Sequence, residues 1–153
     1  MYARDEIKQI KEKFWTKFGQ FMTLTLNSEG EKINWVNYKT GIKHLYFRMD
    51  ATNKSASILI QMDHPDSGIR TLMMEQFGQY KILLNGMLGE EWEWQLEHVD
   101  EHGKEWAFIG TTLLGVSIFR EEDWPMLMMF FKSRLLILDE FWNNAQHGFD
   151  LFR

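Results

Sequence analysis

The amino-acid sequence predicts an α+β fold in which helices pack on the apolar face of an antiparallel sheet of about five strands. Three observations support this class. Apolar residues recur at helical spacing in three segments, shorter segments alternate apolar and polar residues, and turn-forming residues separate these at hairpin distances. The predicted order is α-β-β-β-α-β-β-α. A chain of 153 residues is long enough for one core, so residues 1–153 are predicted to form a single globular domain.

The first helix is predicted from residue 5 to about residue 24. Its apolar face consists of residues three or four positions apart: Ile7, Ile10, Phe14, Phe18 and Phe21. Turn-forming residues at 27–31 end this helix, and residues 33–38 are predicted to form a short strand.

Residues 44–50 and 55–62 alternate and are predicted to form a hairpin with Thr52 and Asn53 at its tip. The predicted register places every large apolar side chain on one face, and a slip of one residue would expose that row. Its cross-strand pairs are Leu45 with Ile60, Phe47 with Ile58, and Met49 with Ala56.

A second helix is predicted over residues 68–87, with an N-cap supplied by residues 64–67 and a terminating glycine at Gly89. Gln76 falls inside the apolar stripe of this helix. A buried amide without a hydrogen-bond partner costs about 1–3 kcal/mol. Gln76 is therefore interpreted as a satisfied core amide, the favoured reading, or as the lining of a pocket with Tyr80. The stripe comprises Ile69, Leu72, Met73, Tyr80, Leu83, Leu84 and Met87.

A second hairpin follows, with Gly103 predicted in the left-handed conformation of a three-residue loop. In this register Leu96 faces Phe108 and Trp94 faces Gly110, which brings both apolar rows to one face. The acidic residues that alternate with them, Glu91, Glu93 and Glu97, are interpreted as a solvated strand face.

The last helix begins near Pro125 and is apolar well beyond one face. Its central stripe comprises Trp124, Leu127, Met128, Phe131, Leu135, Leu138 and Trp142, and further apolar residues include Met126, Met129, Phe130, Ile137 and Phe141. Such a helix is buried on two sides. The second side is covered either by another helix of this chain or by a second subunit, and the width of the surface leads us to expect a homodimer or a protein partner.

Composition excludes several classes of function. The chain has no cysteine, so disulfides, thiolate zinc sites and cysteine catalysis are excluded. A net charge of −5 disfavours non-specific nucleic-acid binding. The polar first residues and the lack of 18 consecutive apolar residues predict a cytoplasmic, soluble protein without a membrane span. No cofactor motif is present, and no cofactor is expected.

Polar residues do not assemble into a recognisable catalytic or metal site. Metal-dependent nucleases place an acid and an (Asp/Glu)-x-Lys on adjacent strands, whereas the clearest match here, Glu6-x-Lys8, lies on the first helix. Asp50 and Asp63 are interpreted as solvated strand ends. Two histidines four residues apart, His98 and His102, straddle a hairpin tip rather than one helix face, so a shared metal is disfavoured.

Several segments resemble an uncharacterised bacterial family, the domain of unknown function 4268. The similarity covers nearly the whole chain and is carried by Arg4-Asp-Glu-Ile, the Phe-Trp-Thr-x-Phe-Gly string at residues 14–19, Asp63-His-Pro-Asp, Glu75-Gln with Lys81, and the Trp-x-x-x-Met-x-x-Phe-Phe helix from residue 124. The string at residues 14–19 is the most specific part. The resemblance implies a bacterial cytoplasmic protein, with related domains sometimes ending longer, nuclease-associated chains. It implies no catalytic residues.

Three functional hypotheses follow. The favoured one is a non-catalytic domain that self-associates or binds a protein partner. The alternatives are an accessory domain of a nucleic-acid-processing or defence system, and an enzyme of unrecognised type with a pocket near Gln76 and Tyr80.

Overall fold

The computed structural model describes residues 2–153 and has an α+β fold. Its elements are α1 (Arg4–Met22), β1 (Leu45–Ala51), β2 (Ser55–Met62), α2 (Ser67–Gln79), α3 (Lys81–Leu88), β3 (Glu93–Val99), β4 (Glu105–Leu114) and α4 (Trp124–Ala145). Two 3₁₀ segments, Glu121–Asp123 and Gln146–Phe152, flank α4. The predicted α+β class is confirmed. The order α-β-β-α-α-β-β-α differs from the prediction by one strand fewer and one helix more.

The four strands form one antiparallel sheet in the order β1-β2-β4-β3. Side chains on one face, such as Phe47, Ile58 and Ile109, are buried beneath the helices. In β1, β2 and β4, the side chains at the alternate positions, which point to the other face, are mostly half-buried or exposed. The opposite face of the sheet therefore lies outside the helical layer.

The register of the first hairpin differs from the prediction by two residues. Leu45 pairs with Met62, and Phe47 pairs with Ile60. Because side chains alternate with a period of two, this shift leaves every residue on its predicted face. The turn sets the register, since the Thr52 hydroxyl accepts the backbone N–H groups of Lys54 (3.2 Å) and Ser55 (3.1 Å) and moves the tip by one position.

In the second hairpin, the predicted pairing of Trp94 with Gly110 and of Leu96 with Phe108 is wrong. His98 pairs with Trp106, but an irregularity between Gln95 and His98 shifts the register so that Trp94 pairs with Ile109. Bulges insert one residue into one strand, so the rows beyond them change partners. Ala107 and Ile109 form the buried row of β4, so Trp94 pairs with a residue of the buried row, and Phe108 lies on the opposite face. The predicted left-handed Gly103 is confirmed (φ 76°).

The predicted strand over residues 33–38 is also wrong, because this segment belongs to the long connection between α1 and β1. Hydrogen bonds between side chains and the backbone, rather than pairing with a strand, hold this connection. The indole of Trp35 is buried and donates to the carbonyl of Thr25 (2.9 Å), and the Asn27 side chain accepts the N–H groups of Glu29 and Glu31.

The predicted second helix is divided at Tyr80 into α2 and α3. The N–H of Tyr80 donates to the carbonyl of Phe77 (2.9 Å), three residues earlier. This tighter turn ends α2 and changes the direction of the helix axis. Leu84 is buried after the break, whereas Leu72 and Leu83 are 51% and 47% exposed despite their predicted burial. The predicted caps are confirmed, since the Asp66 side chain accepts two N–H groups of α2, and Gly89 is left-handed (φ 68°).

Helix α4 is buried on two sides by the same chain. On one side, Phe14 of α1 lies 5.3 Å from Trp124 and 6.3 Å from Phe131, measured between ring centroids. On the other side, Phe141 lies 6.4 Å from Phe77 of α2. Of the two coverings that the sequence allows, the intramolecular one accounts for both of these sides. Within residues 2–153, no helix is both long enough and apolar enough to cross a membrane.

Candidate functional site: the open face of the sheet

The sheet face that points away from the helices carries aromatic, aliphatic and charged side chains in regular rows. One row crosses the sheet through Arg48, Leu59, Gly110 and Glu93, which are successive cross-strand partners. The neighbouring row crosses it through Tyr46, Gln61, Phe108 and Gln95. We call the surface formed by these two rows, together with Trp106 and His98, the open face.

Gly110 makes the centre of the open face flat. A Cβ atom at this position would overlap the Leu59 side chain and lie 2.9 Å from the carbonyl oxygen of Ile58. Glycine is therefore required here by close approach, and Leu59 covers the position instead.

The aromatic groups of the open face are held in fixed orientations. The ring of Trp106 lies 4.4 Å from that of His98 and 5.7 Å from that of Phe108, and its indole N–H donates to Asp100 (3.0 Å). The indole hydrogen bond, together with backbone hydrogen bonds from Lys104 and His102, holds the pKa of the Asp100 carboxyl below its usual range. The surface is thus pre-organised, which reduces the entropy lost when a partner binds.

Opposite charges stand at the two ends of the central row. The Arg48 guanidinium lies 4.1 Å above the Tyr46 ring, and its Nε donates to Gln61 (3.1 Å). At the other edge, the Glu93 carboxylate accepts from the side-chain amide of Gln95 (3.0 Å). Within residues 2–153, neither Arg48 nor Glu93 has an ion-pair partner.

A polar cleft of about 700 Å³ adjoins the open face at the start of β1. His44 lies here in the left-handed region (φ 65°), a conformation that costs free energy in a non-glycine residue. Its Nδ1 atom is 3.0 Å from Asp63 Oδ1, and Lys104 Nζ is 3.7 Å from the other carboxylate oxygen. The buried Arg70 donates to the His64 carbonyl (2.7 Å).

The cleft holds an oriented imidazole but lacks the partners of a catalytic triad. Its lining residues include no serine, threonine or cysteine that could act as a nucleophile. No group of three histidine, aspartate or glutamate residues able to hold a metal occurs in residues 2–153. His102 is exposed and pairs with Glu101, while the His98 ring packs at a tilt of 57° against Trp106, so the two do not converge.

The residues predicted to line a pocket, Gln76 and Tyr80, are covered by the C-terminal 3₁₀ segment. A Cβ atom on Gly148 would overlap the Tyr80 hydroxyl and lie 3.1 Å from Gln76 Nε2. The Tyr80 ring also packs on Phe149 and Phe141. Gly148 therefore fills the space in which a ligand would lie beside these two side chains.

The residues predicted to form an interface on α4 divide into two groups. Phe130 and Phe141 are 7% and 0% exposed, and Ile137 is partly buried against the core, so this chain itself covers most of that surface. Met126 and Met129 remain 59% and 53% exposed. Only these two methionines of the predicted set are available to a partner without rearrangement.

Sequence reasoning did not identify Asp139, which is 4% exposed. It accepts the hydroxyl of Tyr38 (2.6 Å) and the N–H of Ser28 (2.7 Å), so it joins the connection after α1 to α4. Burial, and then the carboxylate, raise the pKa of Tyr38 well above its usual range. The signal was available, because Asp139 lies within the apolar stripe between Leu135 and Trp142.

The open face was missed for a different reason. Both rows of β4 contain large apolar residues, so alternation could not decide which row lies under the helices. The nuclease-type acids do not converge either. Glu6 and Lys8 lie on α1, Asp50 is exposed on β1, and Asp63 contacts His44.

Comparison with known proteins identifies a family but no activity. No curated protein and no solved structure gives a significant match. The family model described as a domain of unknown function, DUF4268, matches residues 10–146 of the 153-residue chain. This span contains the sheet, the open face and all but the first turns of the helical layer, and the chain therefore belongs to the DUF4268 family.

Proposed function

We propose that this chain is a non-catalytic interaction domain that pairs with a second copy of itself through the open face. The observation that carries the proposal is the central row, which ends in Arg48 at one edge of the sheet and Glu93 at the other. A surface that pairs with its own copy must be complementary to itself.

The geometry of a face-to-face pair supports this choice of partner. Two sheets that pack face to face keep their strands aligned within about 30° and lie about 10 Å apart. A two-fold axis parallel to the strands, between Leu59 and Gly110, would place β1 of one copy over β3 of the other. Arg48 would then lie opposite Glu93 of the second copy, and the same contact would occur twice.

The central part of the open face supports the same arrangement. Phe108 and Gln61 are cross-strand partners, so the two-fold axis brings the ring of one copy over the amide of the other. Aromatic residues and arginine are enriched at protein interfaces. Four strands of about seven residues present roughly 400 Å² of flat area per chain. This is about half the area per partner of a standard-size interface, so we expect a weak dimer with a dissociation constant of micromolar or above.

The charges on the open face favour a protein rather than a nucleic acid as its binding partner. The open face carries Glu93 and Arg48, Asp50 lies exposed at its β1 edge, and at its margin the carboxylate of Asp63 is paired with Lys104, in a chain of net charge −5. A phosphate backbone is bound by clustered lysine and arginine side chains, which this face does not present.

Sedimentation equilibrium of variants with exchanged charges at residues 48 and 93 tests the proposal. Arg48→Glu and Glu93→Arg should each convert the dimer to monomer at micromolar concentration, because each places like charges together. The double variant Arg48→Glu/Glu93→Arg should restore the dimer. Circular dichroism of each variant checks that it is folded.

The matched control places charge on the other exposed apolar surface. Met126→Glu/Met129→Glu should leave the dimer intact. A dimer that dissociates with the methionine variant but persists in the charge variants would assign the contact to α4 instead. A wild-type chain that remains monomeric at high micromolar concentration, or an open face that binds single-stranded oligothymidylate, would overturn the proposal.

A further inference from the structure

A second surface, separate from the open face, lies on α1 in the helical layer. Here α1 and the loop that carries Val36 bound an open groove of about 760 Å³. Its apolar lining is formed by Ile7, Trp15 and Val36, of which Val36 is 38% exposed and the other two are partly buried. Gly19 faces Val36 directly, since a Cβ atom on it would lie 3.6 Å from the valine side chain.

Three basic side chains border this groove along one stripe of α1. Arg4, Lys8 and Lys11 are separated by four and three positions, the spacing that places residues on one helix face, and Trp15 continues the stripe. Within residues 2–153, none of the three cations lies within ion-pair distance of a carboxylate. One acid, Glu12, also lines the groove.

The other lysines of α1 have partners inside the chain. Lys13 lies 2.9 Å from Glu121, and this contact holds the pKa of the glutamate below its usual range. Both Lys13 and Lys17 also lie over the Trp124 ring, at 5.8 and 5.6 Å from its centroid. The unpaired cations are therefore confined to the groove side of the helix.

Helix stability does not explain the cations at the groove. Positive charge near a helix N-terminus opposes the helix dipole, which Asp5 and Glu6 in the first turn of α1 complement. Arg4 and Lys8, which lie in the first two turns, do not complement it. The N-cap residue Ala3 adds no side-chain hydrogen bond. Charge that is unpaired and placed at the unfavourable end of a helix is consistent with a role in binding an external anionic group.

We infer that the α1 groove binds an acidic amphipathic segment of another protein. The cations would pair with its carboxylates, and Ile7, Trp15 and Val36 would bury its apolar side chains. The lining spans Arg4 to Gly19, which at about 1.5 Å per residue is roughly 22 Å and accommodates about four turns of a bound helix. Helix-in-groove recognition of this kind uses apolar anchors at helical spacing.

A protein segment suits the groove better than nucleic acid does. The apolar floor would gain nothing from a phosphodiester backbone, and the positive charge follows α1 alone. A single-stranded nucleic acid would use basic residues along its whole track, with aromatic side chains for stacking. Here one indole is available, and Glu12 stands among the cations.

Fluorescence anisotropy with the full chain tests the inference. The probe is a fluorescein-labelled peptide of about 16 residues, built from glutamate and leucine so that the leucines share one helix face. We expect micromolar binding that weakens as salt is raised, because ion pairs at a surface are screened. A lysine and leucine peptide of the same pattern should not bind.

Substitutions in the groove test whether the peptide binds there. Lys8→Glu/Lys11→Glu should weaken it about tenfold or more, and Val36→Asp should weaken it comparably by making the floor polar. Lys43→Glu/Lys54→Glu makes the same change of charge at exposed lysines that do not line the groove and should leave the affinity unchanged.

Three results would overturn the inference: no peptide binding at high micromolar concentration, equal loss in both lysine variants, or tighter binding of oligothymidylate than of the acidic peptide. Because the groove and the open face are different surfaces, the Arg48→Glu variant should bind the peptide as the wild type does. A failure of either proposal is therefore distinguishable from a failure of the other.

Discussion

The hydroxyl of Tyr38 donates to the carboxylate of Asp139 across 2.6 Å and 101 positions of sequence, and it ties the connection after α1 to the middle of α4. Hydrogen bonds to charged groups contribute more to stability than neutral ones do. Tyr38→Phe should therefore destabilise the protein by about 1–3 kcal/mol in urea denaturation. Tyr46→Phe is the matched control and should be nearly neutral, since within residues 2–153 the Tyr46 hydroxyl has no hydrogen-bond partner.

The same pair predicts a dependence on alkaline pH. Burial and Asp139 raise the pKa of Tyr38 in the folded state, whereas the unfolded tyrosine titrates near its usual value of about 10. Above that pH the unfolded state loses a proton that the folded state retains, so stability falls as pH rises. The difference in unfolding free energy between the wild type and Tyr38→Phe should be constant from neutral pH to about pH 10 and should become smaller above it. A difference that stays constant would contradict this assignment.

Gly110→Ala tests the close approach at the centre of the sheet. The added methyl group would overlap Leu59 and crowd the Ile58 carbonyl, so we expect a loss of about 1–3 kcal/mol. At Gly78 of α2 nothing lies within 4 Å of the added atom, and the helix favours alanine, so Gly78→Ala should stabilise by about 0.5–1 kcal/mol. Equal effects would show that the open face is not tightly packed at Gly110.

The covering of α4 can be tested by removing side chains from its two surfaces. Phe141→Ala should cost about 3–5 kcal/mol, because the fully buried ring leaves a cavity among Phe77 and Tyr80. Met129→Ala removes an exposed side chain, 53% accessible, and should change stability by less than about 0.5 kcal/mol. Thermal denaturation at several protein concentrations separates this effect from one on association.

The N-cap of α2 provides a local test. Asp66 accepts the N–H groups of Gly68 at 2.7 Å and Ile69 at 3.2 Å, so Asp66→Ala should destabilise by about 0.5–2 kcal/mol. Ser67→Ala changes the adjacent exposed side chain, which makes no such bond, and should be nearly silent. If both variants lose the same stability, the cap contributes nothing measurable.

Local features of the fold could be predicted because their causes lie within a few residues. The buried Phe14 and Phe18 of α1, the Asp66 cap and the left-handed Gly89 and Gly103 each depend on neighbours in sequence, whereas Phe21 of the predicted α1 stripe is 41% exposed. The faces of β1 and β2 were likewise predictable, since an error of two residues in register leaves the alternation intact. The open face itself was not among these features.

The sequence by itself determined the α+β class, the caps, the left-handed turns and the apolar character of α4. Only the tertiary structure decided which row of β4 lies beneath the helices, because Trp106 and Phe108 are as apolar as the buried Ala107 and Ile109. It also decided that this chain itself covers Phe141, and that Arg48 and Glu93 stand at opposite ends of one row. The physical reason is common to these cases. Each depends on contacts between segments distant in sequence, whose free energies are set by packing rather than by the local pattern of residues.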